Sequence, residues 1–263
     1  MCGLTGYLGG NSFESTEASK ELLRQMSKNI THRGPDSNGI WLDEESRLGL
    51  AHQRLSVLDL SKAGHQPMIS KNNRYVIVYN GEIYNHLLLR KELEKSGKIS
   101  SWIGSSDTET LLSCIQEWGL KETLNKIEGM FSFALWDRKN RELTLARDRI
   151  GEKPLYYGWQ NSTFLFGSEL KALKIHPSFE GKLDRSSIEE YLRFNYVPGP
   201  SSIFKGIKKL PPGTFLTVSL HKKEPNLPIP YWNLLDVVEK GRESTFKGND
   251  SQAVDKLEDL LTS

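Results

Sequence analysis

Cys2 stands directly behind the initiator Met1 and ahead of Gly3. Its small side chain permits removal of Met1, which would leave thiol and α-amine on one residue. An α-amine has a pKa of ~7.7–8.0. It can accept a proton near neutral pH, where a free thiol with a pKa of ~8.5 is mostly protonated. One residue would then supply both nucleophile and base. Other groups suit such a centre: Arg54 in AHQRLSVLDLS, Asn80-Gly81-Glu82 in YNGEIYN, and Asp107 in SDTE. A guanidinium fork matches an α-carboxylate, and the Glu82 and Asp107 carboxylates match an α-ammonium. The Asn80 amide and the Gly81 backbone N–H, just past a strand, are natural donors to an oxyanion. Jointly the set would read a free amino acid. Each member also has a plainer reading: Arg54 as a surface ion pair, Asn-Gly as a hairpin turn, Asp107 as a helix cap.

The elements that must position these residues follow from periodicity. The opening MCGLTGYLGG is expected to be a short strand ending in a glycine turn. Residues 17–29 are expected to be helical, with Leu22, Leu23 and Met26 on one face. Gly34-Pro35-Asp36 is turn chemistry. Residues 74–79 form a strong β run that Asn80-Gly81 should break. Residues 84–94 and 107–118 are expected to be helices, the second capped by Ser106 or Asp107. The period then changes to two: Phe131, Phe133 and Leu135 point one way, and Ser132, Ala134 and Trp136 the other. Residues 143–147, 155–159, 164–167 and 215–220 continue as strands, the last with Leu216, Val218 and Leu220 on one face. Short strands flanked by a few helices predict an α+β fold of antiparallel sheets covered by helices.

After Leu220 the composition shifts. Pro225, Pro228 and Pro230 fall within six residues and 240–250 is polar, as in a linker or wrapping segment over 223–250. Residues 251–263 form an amphipathic stretch with Ala253, Val254, Leu257, Leu260 and Leu261 on one face. An apolar stripe so near the chain end suggests the first helix of a second, truncated domain; the alternative is a helix that docks back.

Bulk properties narrow the function classes. The 263 residues carry 35 Lys plus Arg against 33 Asp plus Glu, a net charge of +2 that argues against a nucleic-acid binder. The small clusters Lys205, Lys208, Lys209 and Lys222, Lys223 are expected to be solvated surface. Two cysteines make neither a disulfide framework nor a metal quartet, and Cys114 in LLSCIQEW is expected in the core. The six histidines show no ligand spacing, so no metal is expected. No signal peptide, no run of 18 apolar residues, no GxxxxGK[ST] loop and no GxSxG elbow occur. No membrane association and a cytoplasmic location are the expectation.

The strings MCGLTGYLG, THRGPDSNGIW, AHQRLSVLDLS with GHQPM, YNGEIYN, SDTETLL, GMFSFALWD, ARDRIGEKPLYYG and FGSELKAL occur in order over most of the chain. On these the chain resembles the N-terminal glutaminase domain of glutamine-hydrolysing asparagine synthetases, within the class II glutamine amidotransferases. The KPLYY and GSELKAL elements fit that branch better than the phosphosugar or phosphoribosyl branches.

The resemblance implies an N-terminal-nucleophile hydrolase fold, a four-layer α-β-β-α sandwich of two antiparallel sheets, over residues 2–222. It implies that Cys2 attacks the glutamine side-chain amide and that Asn80 and Gly81 form the oxyanion hole. Arg54 would hold the α-carboxylate, with the backbone of Leu55, Ser56, Val57 and Leu58 nearby; Glu82 and Asp107 would bind the α-amine. Ammonia would pass to a C-terminal synthetase domain of the same chain, where ATP and Mg belong. That domain's Ser-Gly-Gly-x-Asp-Ser loop does not occur in these residues, so no cofactor is expected here. Aspartate is the family's usual acceptor; a sugar acid or another carboxylate is the alternative. With Met1 retained, the domain would instead be a silent docking or regulatory module. An N-terminal-nucleophile peptidase is disfavoured, because Arg54 and Asp107 suit a free amino acid.

Overall fold

The computed structural model describes residues 1–10, 15–97, 99, 101–220 and 227–262. Lys222, Lys223, Pro225 and Ser263 lie outside the described residues. In chain order the strands are β1 (Gly3–Gly9), β2 (Ser37–Asp43), β3 (Leu48–Arg54), β4 (Met68–Ile69), β5 (Tyr75–Ile83) and β6 (Gly129–Asp137). They continue with β7 (Glu142–Arg147), β8 (Tyr156–Gln160), β9 (Thr163–Gly167), β10 (Lys208–Lys209), β11 (Thr214–Val218) and β12 (Ile229–Pro230). The helices are α1 (Thr16–Lys28), α2 (His86–Lys95), α3 (Asp107–Trp118), α4 (Leu120–Lys126), α5 (Leu170–Leu173), α6 (Arg185–Phe194), α7 (Leu234–Glu243) and α8 (Asp250–Thr262).

One antiparallel sheet has the order β10-β8-β9-β1-β3-β2 and the other β12-β11-β7-β6-β5-β4. Alternation along the strands divides the apolar side chains into three layers. Leu4, Leu8, Leu48 and Leu50 meet Val76, Val78, Ala134 and Trp136 between the sheets. Ile77, Phe131, Phe133 and Leu135 face the other way, against Leu89 and Leu93 of α2 and Leu111 and Ile115 of α3. Tyr7, Ala51 and Leu165 pack under Leu23 and Met26 of α1 and Leu173 of α5. The result is the expected α-β-β-α sandwich, and the two-faced assignment of 131–136 holds residue by residue.

Residues Met1–Tyr231 form one compact unit and Trp232–Ser263 a second. Within 223–250, expected to be linker, Ile229–Pro230 pairs with β11 and Leu234–Glu243 is helical, capped by the Asn233 side chain. The stretch from 251 lies in α8. Leu220 lies past the end of β11 and is exposed, unlike buried Leu216 and Val218.

One expectation is overturned. Asn80-Gly81 does not break the strand: β5 runs through it to Ile83, with β6 opposite along its whole length, from Tyr75↔Asp137 to Ile83↔Gly129. Continuous pairing overrides the turn preference of the dipeptide. Glycine is required at 81 for closeness rather than for a turn, because a Cβ there would collide with the Met130 carbonyl and Phe131 Cα. Strands β2 and β3 escaped the periodicity reading. All seven residues of β3 are buried, so it carries no polar alternation.

Burial also sets the charge state of the inner histidines. His52, on the inter-sheet face of β3, is fully buried and pushed down to about 3; burial takes His176 down to about 4 and lowers His86 as well. An unfolded histidine titrates near ~6.5. As pH falls below that value the unfolded chain binds protons that the folded chain refuses, so folding stability must fall with acidity. Urea unfolding at pH 7 and at pH 5.5, above the range where unfolded carboxylates titrate, should show the lower midpoint at pH 5.5. Equal midpoints would contradict neutral buried imidazoles.

Candidate active site

The register Gly3↔Gln53 between β1 and β3 places Cys2 beside the Arg54–Leu55 peptide. The Cys2 Sγ lies 3.4 Å from the Leu55 N and 3.5 Å from the Leu55 O. Burial pushes the thiol pKa up. The Leu55 backbone hydrogen bond, the N-terminal ammonium and Arg54 work against that rise, and Asp107 adds to it. A thiol held neutral in this way needs a base to become a nucleophile.

Strand β5 supplies the other side. Its neighbour β4 ends at a pair with Val76 and Ile77, so beyond that point one edge of β5 has no strand beside it. Side chains occupy this edge in turn. The Tyr79 N–H donates to Gln66 Oε1 at 2.6 Å and the Ile83 N–H donates to Asp107 Oδ2 at 3.0 Å. Neutral His52 must donate from Nε2 to the Tyr79 carbonyl, 2.9 Å away. Backbone groups alternate in direction along an antiparallel strand. The N–H of Gly81 therefore faces the same edge, between those of Tyr79 and Ile83. Across the ladder, Phe131 turns both its N–H and its carbonyl to Asp148, away from Gly81.

Asn80 lies on the face of β5 that carries Val76 and Val78 towards the opposite sheet. Its side chain is 1% exposed and its Nδ2 has no hydrogen-bond partner among the described residues. A buried amide without a partner costs about 1–3 kcal/mol. Asn80 Nδ2 thus lacks an acceptor, and Asn80, Gly81 and Cys2 line one cavity.

The rest of the wall comes from the 54–64 segment and the start of α3. Arg54 is buried, with Nη1 bonded to the Ser61 carbonyl at 2.9 Å and Nη2 to the Asp59 carbonyl. Two of its five donors thus brace the segment. The Asp59 carboxylate accepts from Ser61 N and from Ser105 N, each at 2.8 Å. A hydrogen bond with the Ser61 side chain leads in holding its pKa low, at about 2, and the Ser105 and Ser61 amides add to it. This ties the Arg54 segment to the turn before α3. Ser106, not Asp107, caps that helix, its Oγ accepting from Thr108 N. Asp107 is freed to turn inward, where Oδ2 also accepts from Tyr79 Oη at 2.7 Å; burial raises its pKa.

One cavity of about 160 Å³ is lined by Cys2, Arg54, Leu55, Val57, Leu58, Asn80, Gly81, Glu82 and Asp107. A cavity of about 150 Å³ holds a benzene-sized molecule, so this one suits a small metabolite. Of the expected site residues only Ser56 is elsewhere: its N–H bonds Asp36 Oδ2 at 2.8 Å and it lines a shallow neighbouring cavity. Met1, Asp59, Gln66, Tyr79, Met130 and Lys153 also line the Cys2 cavity and carry no site role in the sequence reading. Gln66 falls in GHQPM and Lys153 in the KPLYY element that marks the branch of the family, but neither string carries a site role for these residues. Among the described residues no three His, Cys, Asp or Glu converge as a metal site, and no helix is long and apolar enough to cross a membrane.

Comparison with known proteins agrees with this geometry. The model of the glutamine amidotransferase domain family matches residues 1–232. Glutamine-hydrolysing asparagine synthetase 1 of Bacillus subtilis is 38% identical over 218 residues, covering 83% of this chain and 33% of that protein. A putative glutamine-hydrolysing asparagine synthetase 2 of Methanocaldococcus jannaschii is 35% identical over 254 residues, 90% of this chain and 47% of that one. The chain thus spans between a third and a half of the length of these relatives. Among solved structures, the glutamine phosphoribosylpyrophosphate amidotransferase of B. subtilis superposes with a TM-score of 0.62 at 19% identity, over 88% of this chain and 49% of that one. At that identity the likeness concerns the fold, which is the N-terminal-nucleophile hydrolase sandwich. With a family match across the whole first compact unit, the chain belongs to the glutamine amidotransferase domain family.

Proposed function

We propose that this domain hydrolyses L-glutamine to glutamate and ammonia, with Cys2 as nucleophile once Met1 is removed. The observation that carries the reading is the pair of unclaimed donors, Asn80 Nδ2 and Gly81 N–H, beside the Cys2 thiol. The freed α-amine of Cys2 takes the thiol proton, and the thiolate adds to the amide carbon. The carbonyl electron pair moves onto oxygen, where Asn80 and Gly81 receive it. The amine passes its proton to the nitrogen, the C–N bond breaks and ammonia leaves. Water then gives a proton to the amine and adds to the thioester, the C–S bond breaks, and glutamate forms. In this reading Arg54 and the 55–58 backbone take the α-carboxylate, and Glu82 and Asp107 take the α-ammonium.

The ammonia goes to a C-terminal synthetase domain of the same chain, to which 251–263 leads. There an ATP- and Mg-dependent step amidates a carboxylate, aspartate by the likeness to the asparagine synthetases, in the cytoplasm. The relatives' names and the share of their length matched support this wider role. A second reading follows if Met1 is retained: Cys2 then has no free amine, and the chain would be a silent docking domain.

Three experiments test these statements. Cys2→Ala should abolish glutamate release from glutamine and leave the circular dichroism unchanged; release at the wild-type rate would remove Cys2 from the chemistry. Asn80→Ala should lower kcat about 10²–10³-fold, the scale for an oxyanion donor, and a change in KM alone would deny it that place. Mass spectrometry of active protein should show Cys2 at the N-terminus, and an intact Met1 there would sink the mechanism.

A further inference from the structure

Lys153 belongs to the RDRIGEKPLYY string but has no part in the reaction above. Its backbone is held from both sides, by a buried carboxylate and a half-buried guanidinium. Its N–H donates to Asp148 Oδ2 at 3.0 Å, and its carbonyl accepts from Arg147 Nε at 2.7 Å. The fully buried Asp148 carboxylate also takes the N–H groups of Glu152 and Phe131, at 2.8 and 3.2 Å. Phe131 is the residue opposite Gly81. One carboxylate thus fixes Lys153 to the strand that backs the two donors.

The side chain so positioned is 5% exposed and lines the Cys2 cavity. Lysine is almost never this buried without a counter-charge. Among the described residues no carboxylate lies within ion-pair distance of Lys153, and the contact of its Nζ is Met1 Sδ at 3.3 Å. A thioether is a weak acceptor. That sulfur belongs to the residue whose loss the proposed reaction requires. Once it leaves, a buried ammonium remains at the nucleophile end of the cavity with no anion to meet.

We propose that Lys153 is a further catalytic residue, whose ammonium meets the negative charge that forms on the amide oxygen as Cys2 attacks and that persists on the γ-carboxylate of the glutamate product. The inference rests on the glutaminase reading and adds a cation to its two neutral donors. The balance of the step is unchanged, since Lys153 donates a hydrogen bond and keeps its protons. With Arg54, Lys153 would divide two tasks: one cation for the end of the substrate that does not react, another for the end that does.

The test compares Met1-processed wild type with Lys153→Met, a neutral side chain of similar length, and Lys153→Arg, which keeps the charge. Thermal unfolding of each checks the fold. Lys153→Met should lower kcat for glutamine about 10²-fold with KM within about twofold, and should weaken inhibition by added glutamate. Lys153→Arg should restore most of kcat. A rise in KM with kcat unchanged would place Lys153 at the α-carboxylate and overturn the proposal. Unchanged kinetics in a folded Lys153→Met, or equal losses in Met and Arg variants, would reduce it to packing. If processed wild type itself releases no glutamate, the glutaminase reading falls and this inference falls with it; an active wild type beside an unaffected Lys153→Met sinks the inference alone.

Discussion

The site depends on an edge. Two residues of β4 pair with β5, and then the neighbour stops while β5 runs on with β6 intact on its other side. Every second amide on that free edge must find a partner other than a strand. Gln66 takes that of Tyr79 and Asp107 that of Ile83; His52 takes the Tyr79 carbonyl. What they leave is the Gly81 N–H, with the Asn80 amide next to it in sequence. The donors are rigid because β6 backs them, and they are unclaimed because β4 is short. Donors held rigid before the charge appears are what the proposed oxyanion role requires, since no reorganisation then remains to be done.

Charge in the cavity wall is handled in a graded way. The Arg54 guanidinium spends two donors on the carbonyls of Asp59 and Ser61, and Asp59 reaches on to Ser105 at the approach to α3. Cation, loop and helix start are thereby one connected piece. Asp107 is the counterpart: a carboxylate whose burial raises its pKa, steadied by a phenol and a backbone amide on a single oxygen. The thiol is the group least helped, with burial outweighing the nearby positive charge. In the proposed reaction the base is the α-amine of the same residue, so a thiol that is neutral at rest ionises when needed.

Much of this was legible in the amino-acid order. The alternation of 131–136 fixed which residues faced helices and which faced the opposite sheet, because a half-covered strand must alternate. The positions of Cys2, Arg54, Asn80, Gly81, Glu82 and Asp107 were legible as a set, and all of them line one cavity. Strand β3 was not, because a strand buried on both faces has no polar rhythm. Asn80-Gly81 was misjudged as a break, because local turn preference is visible in a dipeptide and a partner strand fifty residues away is not. Ser56 shared a string with Arg54, yet its amide turned aside to Asp36. Lys153 was hidden for a related reason. Its place is set by three amides converging on Asp148, a curvature no spacing rule encodes.

The brevity of β4 has a further consequence. An unpaired sheet edge is ordinarily a hazard, a template on which another chain can add a strand. Here the gap is narrow, walled by side chains, and one amide wide. If β4 were longer and reached past Gly81, the sheet would be more complete and its hydrogen bonding better satisfied. The same growth would seal the place where the proposed reaction receives its charge. In the proposed reaction, stability and reactivity therefore compete for one backbone N–H.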